Sequence, residues 1–241
     1  VKRMTWFKQL FKHETKPLLY CIHGFGARRT HEFDTLKAYF EPLGYEIIHP
    51  DLFDQTHLDD MDAKQWIQRA ETPLKDLLKS NTHIILIGYS MGGVIASDLA
   101  RRYPVERLVL IAPGFEYITA KAVIETVGGR ARQILRIPES PGIPGEYPEL
   151  PEHFTNTFRE VVTRCKDSIS QVYCPVLIFH GTHDQTIPVR SSDYAYEQIP
   201  HKRKRLFILK NVPHRILDEK DINQDVFRIM HDFINALIVQ N

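Results

Sequence analysis

The feature that most constrains this chain is a series of short, mostly apolar runs separated by amphipathic stretches. Leu18–Ile22, Tyr45–Ile48, Ile84–Ile87, Leu108–Ile111, Val176–Phe179 and Leu206–Leu209 are each bounded by glycine, proline or polar residues. A strand with one wet face alternates apolar and polar residues. Continuous runs mark strands covered on both faces, the condition of a parallel sheet between helical layers. The intervening segments fit crossover helices. Glu32–Phe40 sets Phe33, Leu36, Lys37 and Phe40 on one side, and Lys64–Leu78 turns Ile67, Leu74, Leu77 and Leu78 inward, with Pro73 expected to kink or restart it. Met91–Tyr103 follows the third strand, and Val226–Val239 carries Phe227, Met230, Phe233, Ile234 and Leu237 at helical spacing. The alternation predicts an α/β fold of about six parallel strands with right-handed crossovers.

One stretch breaks the rhythm. Between Ala112 and Val172 no run reads as a core strand, and Pro138, Pro141, Pro144, Pro148 and Pro151 stiffen the middle. A structureless loop of that length is uncommon inside a compact domain, so an inserted helical cap over one end of the sheet is expected. The predicted domains are a core of residues 1–112 and 173–241 and a cap or lid of residues 113–172.

The 31 basic and 30 acidic residues leave no charge bias toward nucleic acid or an acidic partner. Cys21, Cys165 and Cys174 cannot all pair within one chain and lack metal-ligand spacing, which points to a reducing, cytoplasmic setting. No run has the length of a membrane span. Val1–Lys16 carries Trp6, Phe7, Leu10 and Phe11 among lysines. Those residues line one helical face, which suits packing on the body or on a second copy, with peripheral membrane contact as the alternative.

The chemistry centres on Gly88-Tyr89-Ser90-Met91-Gly92. The run before it is a strand and the segment after it a helix, so Ser90 falls on a tight strand-to-helix turn that thrusts out its hydroxyl. Small residues at both flanks are what such a turn requires. A serine hydroxyl is a weak nucleophile and needs a neighbouring base. Among twelve histidines, His214 follows the last strand and precedes the last helix, downstream of a candidate acid. His201 lies before that strand, His231 within the terminal helix, and His180 and His183 too early in the chain. The acid expected to orient His214 is Asp184, in the loop Gly181–Pro188 after the fifth strand. Asp193 falls in a helix, and Asp218 and Asp221 follow the histidine. An oxyanion hole is expected from the backbone N–H groups of Met91 and of Phe25, the latter in His23-Gly24-Phe25-Gly26, where His23 braces the loop.

Leu19–Phe25, the Ser90 elbow, the Gly181–Pro188 loop and Pro213-His214 together resemble the α/β-hydrolase superfamily, most closely its small bacterial carboxylesterase and monoacylglycerol-lipase branch. The resemblance runs from Pro17 to Leu237 and is weakest in the cap. It implies a Ser90–His214–Asp184 triad, Phe25 and Met91 as oxyanion donors, an acyl ester as substrate and no cofactor or metal; the alternatives are thioester, lactone or carbon–carbon bond hydrolysis by the same triad, or a non-catalytic binding protein on the hydrolase fold. With only a short segment before the first strand, the two leading antiparallel strands of larger members are expected to be missing. Pro213 departs from the glycine that many relatives carry before the histidine.

Two further stretches invite other readings. His57–Asp62 is read as a polar loop feeding a helix N-terminus rather than a metal site. His201–Arg205 is read as a solvated turn rather than a nucleic-acid or membrane contact. The aliphatic and aromatic residues Phe115, Tyr117, Ile118, Val123, Ile134, Leu135, Ile137, Phe154 and Phe158 are expected either to line an acyl pocket or to anchor the cap.

Overall fold

The computed structural model describes residues 16–25, 31–54, 59–80, 83–116 and 152–237. The N-terminal segment before Lys16 and residues 117–151, most of the expected cap, lie outside them. The order is β1 (Leu18–Ile22), α1 (Asp34–Phe40), β2 (Ile47–Ile48), α2 (Ala63–Leu77), β3 (Ile84–Tyr89), α3 (Met91–Arg102), β4 (Arg107–Ile111), α4 (Glu152–Cys165), β5 (Val176–Gly181), α5 (Arg190–Gln198), β6 (Lys204–Leu209) and α6 (Asn223–Ile234). All pairings are parallel and the six strands lie in the order β2-β1-β3-β4-β5-β6.

The unbroken apolar runs have the cause inferred from them. Leu18, Tyr20, Ile22, Leu86, Leu110 and Ile178 face a core with Trp66, Leu74, Val94 and Leu99 of α2 and α3. Their neighbours Leu19, Cys21, Ile87, Val109 and Phe179 face the opposite layer, with Leu36, Phe40, Phe227 and Met230 of α1 and α6. Period-two alternation therefore persists, but both faces are dry. The order reverses between β1 and β3: the chain leaves β1 for β2 at the edge, then returns to the other side of β1. Ligands of open parallel sheets bind at such a switch point, beyond the carboxyl ends of the strands.

The helices differ from expectation in detail. Pro73 sits inside a continuous α2, where it removes one backbone donor without ending the helix. The buried face of α2 is Ala63, Trp66, Ala70 and Leu74, while Ile67, Leu77 and Leu78 pack at its border. Asp62 caps α2 by accepting from the Lys64 N–H at 2.8 Å, and Asp60 pairs with Arg69 at 2.6 Å. Both acids thus have structural work at a helix start. In the stretch expected to form the cap, α4 and the turn Lys166–Gln171 lie against the core: Val161, Val162, Cys165 and Ile169 are buried in the same cluster as the sheet. Among the described residues no helix is long and apolar enough to cross a membrane.

Candidate active site

Ser90 joins β3 to α3 with φ 51° and ψ −117°, a region that side chains other than glycine rarely occupy. Its backbone is held on both sides: the Ser90 N–H donates to the Ile111 carbonyl at 2.9 Å, and its carbonyl accepts from Gly93 and Gly114, each at 3.0 Å. The strain persists because the packing around it leaves no alternative. A Cβ on Gly88 would lie 2.5 Å from the Gly92 carbonyl oxygen, and one on Gly92 would lie 2.0 Å from that of Ile22. Helix α3 can start beside β1 only because position 92 has no side chain. Gly92→Ala is expected to destabilise the fold by about 3 kcal/mol or more, the upper range for overpacking, because the obstacle is backbone. An unchanged denaturant midpoint would refute this account of the elbow.

The structure brings two of the sequence-identified residues into direct contact. His214 Nδ1 lies 2.6 Å from Asp184 Oδ2, with the Asp184 side chain fully buried. The other carboxylate oxygen, Oδ1, accepts from the Thr186 and Ile187 N–H groups, each at 2.8 Å. An ionised carboxylate only accepts, so the His214 proton sits on Nδ1 and Nε2 is left with its lone pair free to accept. Burial pushes the Asp184 carboxyl up, but hydrogen bonds from His180, His214 and the Ile187 N–H outweigh it and hold the group well below the usual carboxylate range. Asp193 is exposed on α5, as expected of a helix-face residue.

Three side chains that the sequence did not mark complete the frame. Tyr89, beside Ser90, donates its hydroxyl to the His214 carbonyl at 2.6 Å, and its ring meets the His214 ring edge-on at 5.7 Å. That contact ties the histidine loop to the elbow. His180 is fully buried on β5, with Nε2 3.0 Å from the Ile187 carbonyl and 3.3 Å from Asp184 Oδ2, and Nδ1 2.6 Å from Ser192 Oγ. It braces the acid loop from inside the sheet. The available signal was a histidine closing an apolar run, since a polar side chain in such a strand must find partners. Glu32 is the third: its Oε2 accepts from the Gly24 N–H at 2.6 Å.

Met91 is buried as the first residue of α3, so its N–H belongs to the helix start, where amides have no intrahelical acceptor. Phe25 follows β1 across the switch point. Its ring stacks on Phe158 of α4 at 5.5 Å and lies 6.2 Å from Phe53 and 6.3 Å from Trp66. His23 braces this loop: Nδ1–H donates to the Gly24 carbonyl at 2.7 Å, while Nε2 accepts from the Leu52 N–H at 3.0 Å. The Ser90 hydroxyl makes no hydrogen bond among the described residues. Of the predicted cap residues, Phe115 and Phe158 are buried at this end of the sheet. Tyr117, Ile118, Val123, Ile134, Leu135 and Ile137 lie outside the described residues, as does the side chain of Phe154.

A model of the alpha/beta hydrolase family matches residues 19–221, which span the sheet, the elbow and both loops. The chain belongs to that family. Over 203 residues it is 26% identical to the thermostable monoacylglycerol lipase of Bacillus sp. (strain H-257), covering 80% of each chain. Among solved structures, that of the metagenome-derived lipolytic enzymes LipS and LipT superposes with a TM-score of 0.74 at 18% identity, covering 92% of this chain and 94% of that one. The monoacylglycerol lipase of Paleococcus ferrophilus superposes at 0.68 with 14% identity, covering 92% and 96%. At those identities the superpositions establish the shared hydrolase fold.

Proposed function

We propose that this hydrolase cleaves carboxylic esters, either short- to medium-chain acyl esters or monoacylglycerols, through an acyl-enzyme on Ser90. The observation that carries this reading is the strained Ser90 elbow at the sheet's switch point, with the Asp184–His214 pair tied beside it through Tyr89. The relatives named as monoacylglycerol lipases support the substrate class.

His214 Nε2 takes the Ser90 hydroxyl proton as Oγ attacks the ester carbonyl carbon. The carbonyl π electrons move to oxygen, which accepts from the Phe25 and Met91 N–H groups. As the intermediate collapses, the C–O bond to the alcohol breaks and His214 returns the proton to the departing alkoxide. Water then repeats the sequence on the acyl-enzyme and releases the acid. Asp184 keeps the Nδ1 proton in place and stabilises the imidazolium formed in each half-reaction. The Ser90 hydroxyl bonds His214 Nε2 as substrate seats, since catalytic hydrogen bonds are often long or unformed in an empty site. In this reading residues 113–172 form the cap, with α4 as its anchored limb and Phe158 stacked on Phe25. The three free cysteines, two of them buried, suit a reducing compartment such as the cytoplasm.

The test pairs a fluorophosphonate probe with steady-state rates over esters from acetate to laurate, monoacylglycerols and matching thioesters. A covalent adduct on Ser90, and a higher kcat/KM for one of the ester series than for the thioesters, are expected. A folded protein that forms no Ser90 adduct would overturn the enzyme reading.

A further inference from the structure

Glu32 takes no part in the proton transfers above, yet its carboxyl is held against the loop that carries the oxyanion donor. Its Oε2 accepts from the Gly24 N–H at 2.6 Å. A Cβ placed on Gly24 would stand 3.2 Å from Glu32 Oε1 and 3.1 Å from Ser90 Cβ, so glutamate and nucleophile flank the same glycine. The neighbouring peptide is pinned as well, because His23 Nδ1–H holds the Gly24 carbonyl at 2.7 Å. That carbonyl and the Phe25 N–H belong to one planar trans peptide and point in opposite directions. Fixing the carbonyl therefore aims the N–H. Glu32 fixes the peptide plane immediately before it, so two consecutive planes are locked and the second bears the donor.

The setting of Glu32 fits a fixed acceptor rather than a surface charge. Burial pushes its carboxyl up to about 8; the Gly24 N–H and Arg215 oppose that rise, and Asp218 adds to it. Burial, and after it the nearby Glu32 carboxyl, push up the Tyr89 phenol, which is itself bonded to the His214 carbonyl. Glu32 is half-buried; a carboxyl that gives up part of its hydration is costly without a hydrogen bond, and this one has its bond on the loop where oxyanion charge develops.

The geometry points to Glu32 as a positioning residue that holds the His23–Gly24 peptide so that the Phe25 N–H stays aimed at the substrate oxygen. This rests on the hydrolase reading above. The effect belongs to the transition state, where the oxygen carries charge, so it falls on kcat rather than KM.

Glu32→Ala is expected to lower kcat about 100-fold, the lower end for losing one oxyanion donor, with KM within about twofold of wild type. Affinity for a trifluoromethyl ketone, which forms a tetrahedral adduct on the serine, falls in step with kcat/KM. Glu32→Gln keeps an acceptor oxygen in the same place and retains kcat within about threefold. If Glu32→Ala does not fold, Glu32→Asp, one methylene shorter, is expected to show the same kcat loss at constant KM. Wild-type kcat in a folded Ala or Asp variant, an equal loss in Gln and Ala, or a loss confined to KM would each overturn the inference. A wild-type protein that forms no fluorophosphonate adduct on Ser90 refutes the enzyme reading first and takes this inference with it. Normal wild-type labelling with an unaffected Glu32→Ala refutes the inference alone.

Discussion

Replacing Ser90 by alanine is expected to abolish ester turnover while leaving the fold intact. The loss is set at roughly 10⁵- to 10⁶-fold in kcat, the scale of removing the nucleophile from a triad that acts as a unit. Stability is expected to change by less than about 0.5 kcal/mol, as for a substitution that breaks no packing or hydrogen bond. The Ser90 hydroxyl makes no hydrogen bond among the described residues, whereas its backbone N–H and carbonyl hold Ile111, Gly93 and Gly114. Alanine keeps that backbone network and the same strained φ. Steady-state hydrolysis of short p-nitrophenyl esters, read alongside thermal unfolding, separates the two effects. Wild-type turnover in Ser90→Ala would remove Ser90 from the mechanism.

The second large effect is expected at Asp184→Asn, about 10⁴-fold in kcat, the scale of a wrong histidine tautomer in a Ser-His-Asp triad. Asp184 Oδ1 accepts from two backbone N–H groups, so the asparagine oxygen takes that place and its NH₂ turns to His214. Nδ1 must then accept, the proton moves to Nε2, and the base is lost. A kcat within tenfold of wild type would show that Asp184 does not set the tautomer. The same substitution changes stability in acid. The folded Asp184 carboxyl titrates below its ordinary value of 3.8, so between the two values the unfolded chain binds the proton more readily. Its stabilisation is complete above the ordinary value and is lost as pH falls through the folded one. The wild type is therefore expected to lose stability more steeply than Asp184→Asn below about pH 4, as measured by urea unfolding across pH.

The strands were legible because their signal is local. Leu18–Ile22 matches its run to the residue, and the other runs lie within or overlap their strands with shifted ends. Tyr45–Ile48 shrank to two residues because β2 is an edge strand that pairs with β1 at only two positions. Burial on α2 was less legible. Its apolar count favoured Ile67, Leu77 and Leu78, but the face with Trp66 and two alanines is turned inward, since close packing against the sheet rewards small residues beside one large ring.

The sequence by itself determined the parallel α/β architecture and placed Ser90, Asp184 and His214 on loops beyond strand ends. Strand periodicity, glycine spacing and chain order are written in neighbouring residues, so they can be read without knowing what lies across the fold. Only the tertiary structure decided which side chains orient those groups. Tyr89 reaches His214, His180 reaches back to Asp184, and Glu32 reaches Gly24 in the loop after β1, each through one hydrogen bond or close polar contact. A hydrogen bond depends on ångström-scale distance and direction between segments brought together by the sheet order, and no residue pattern along the chain encodes that distance.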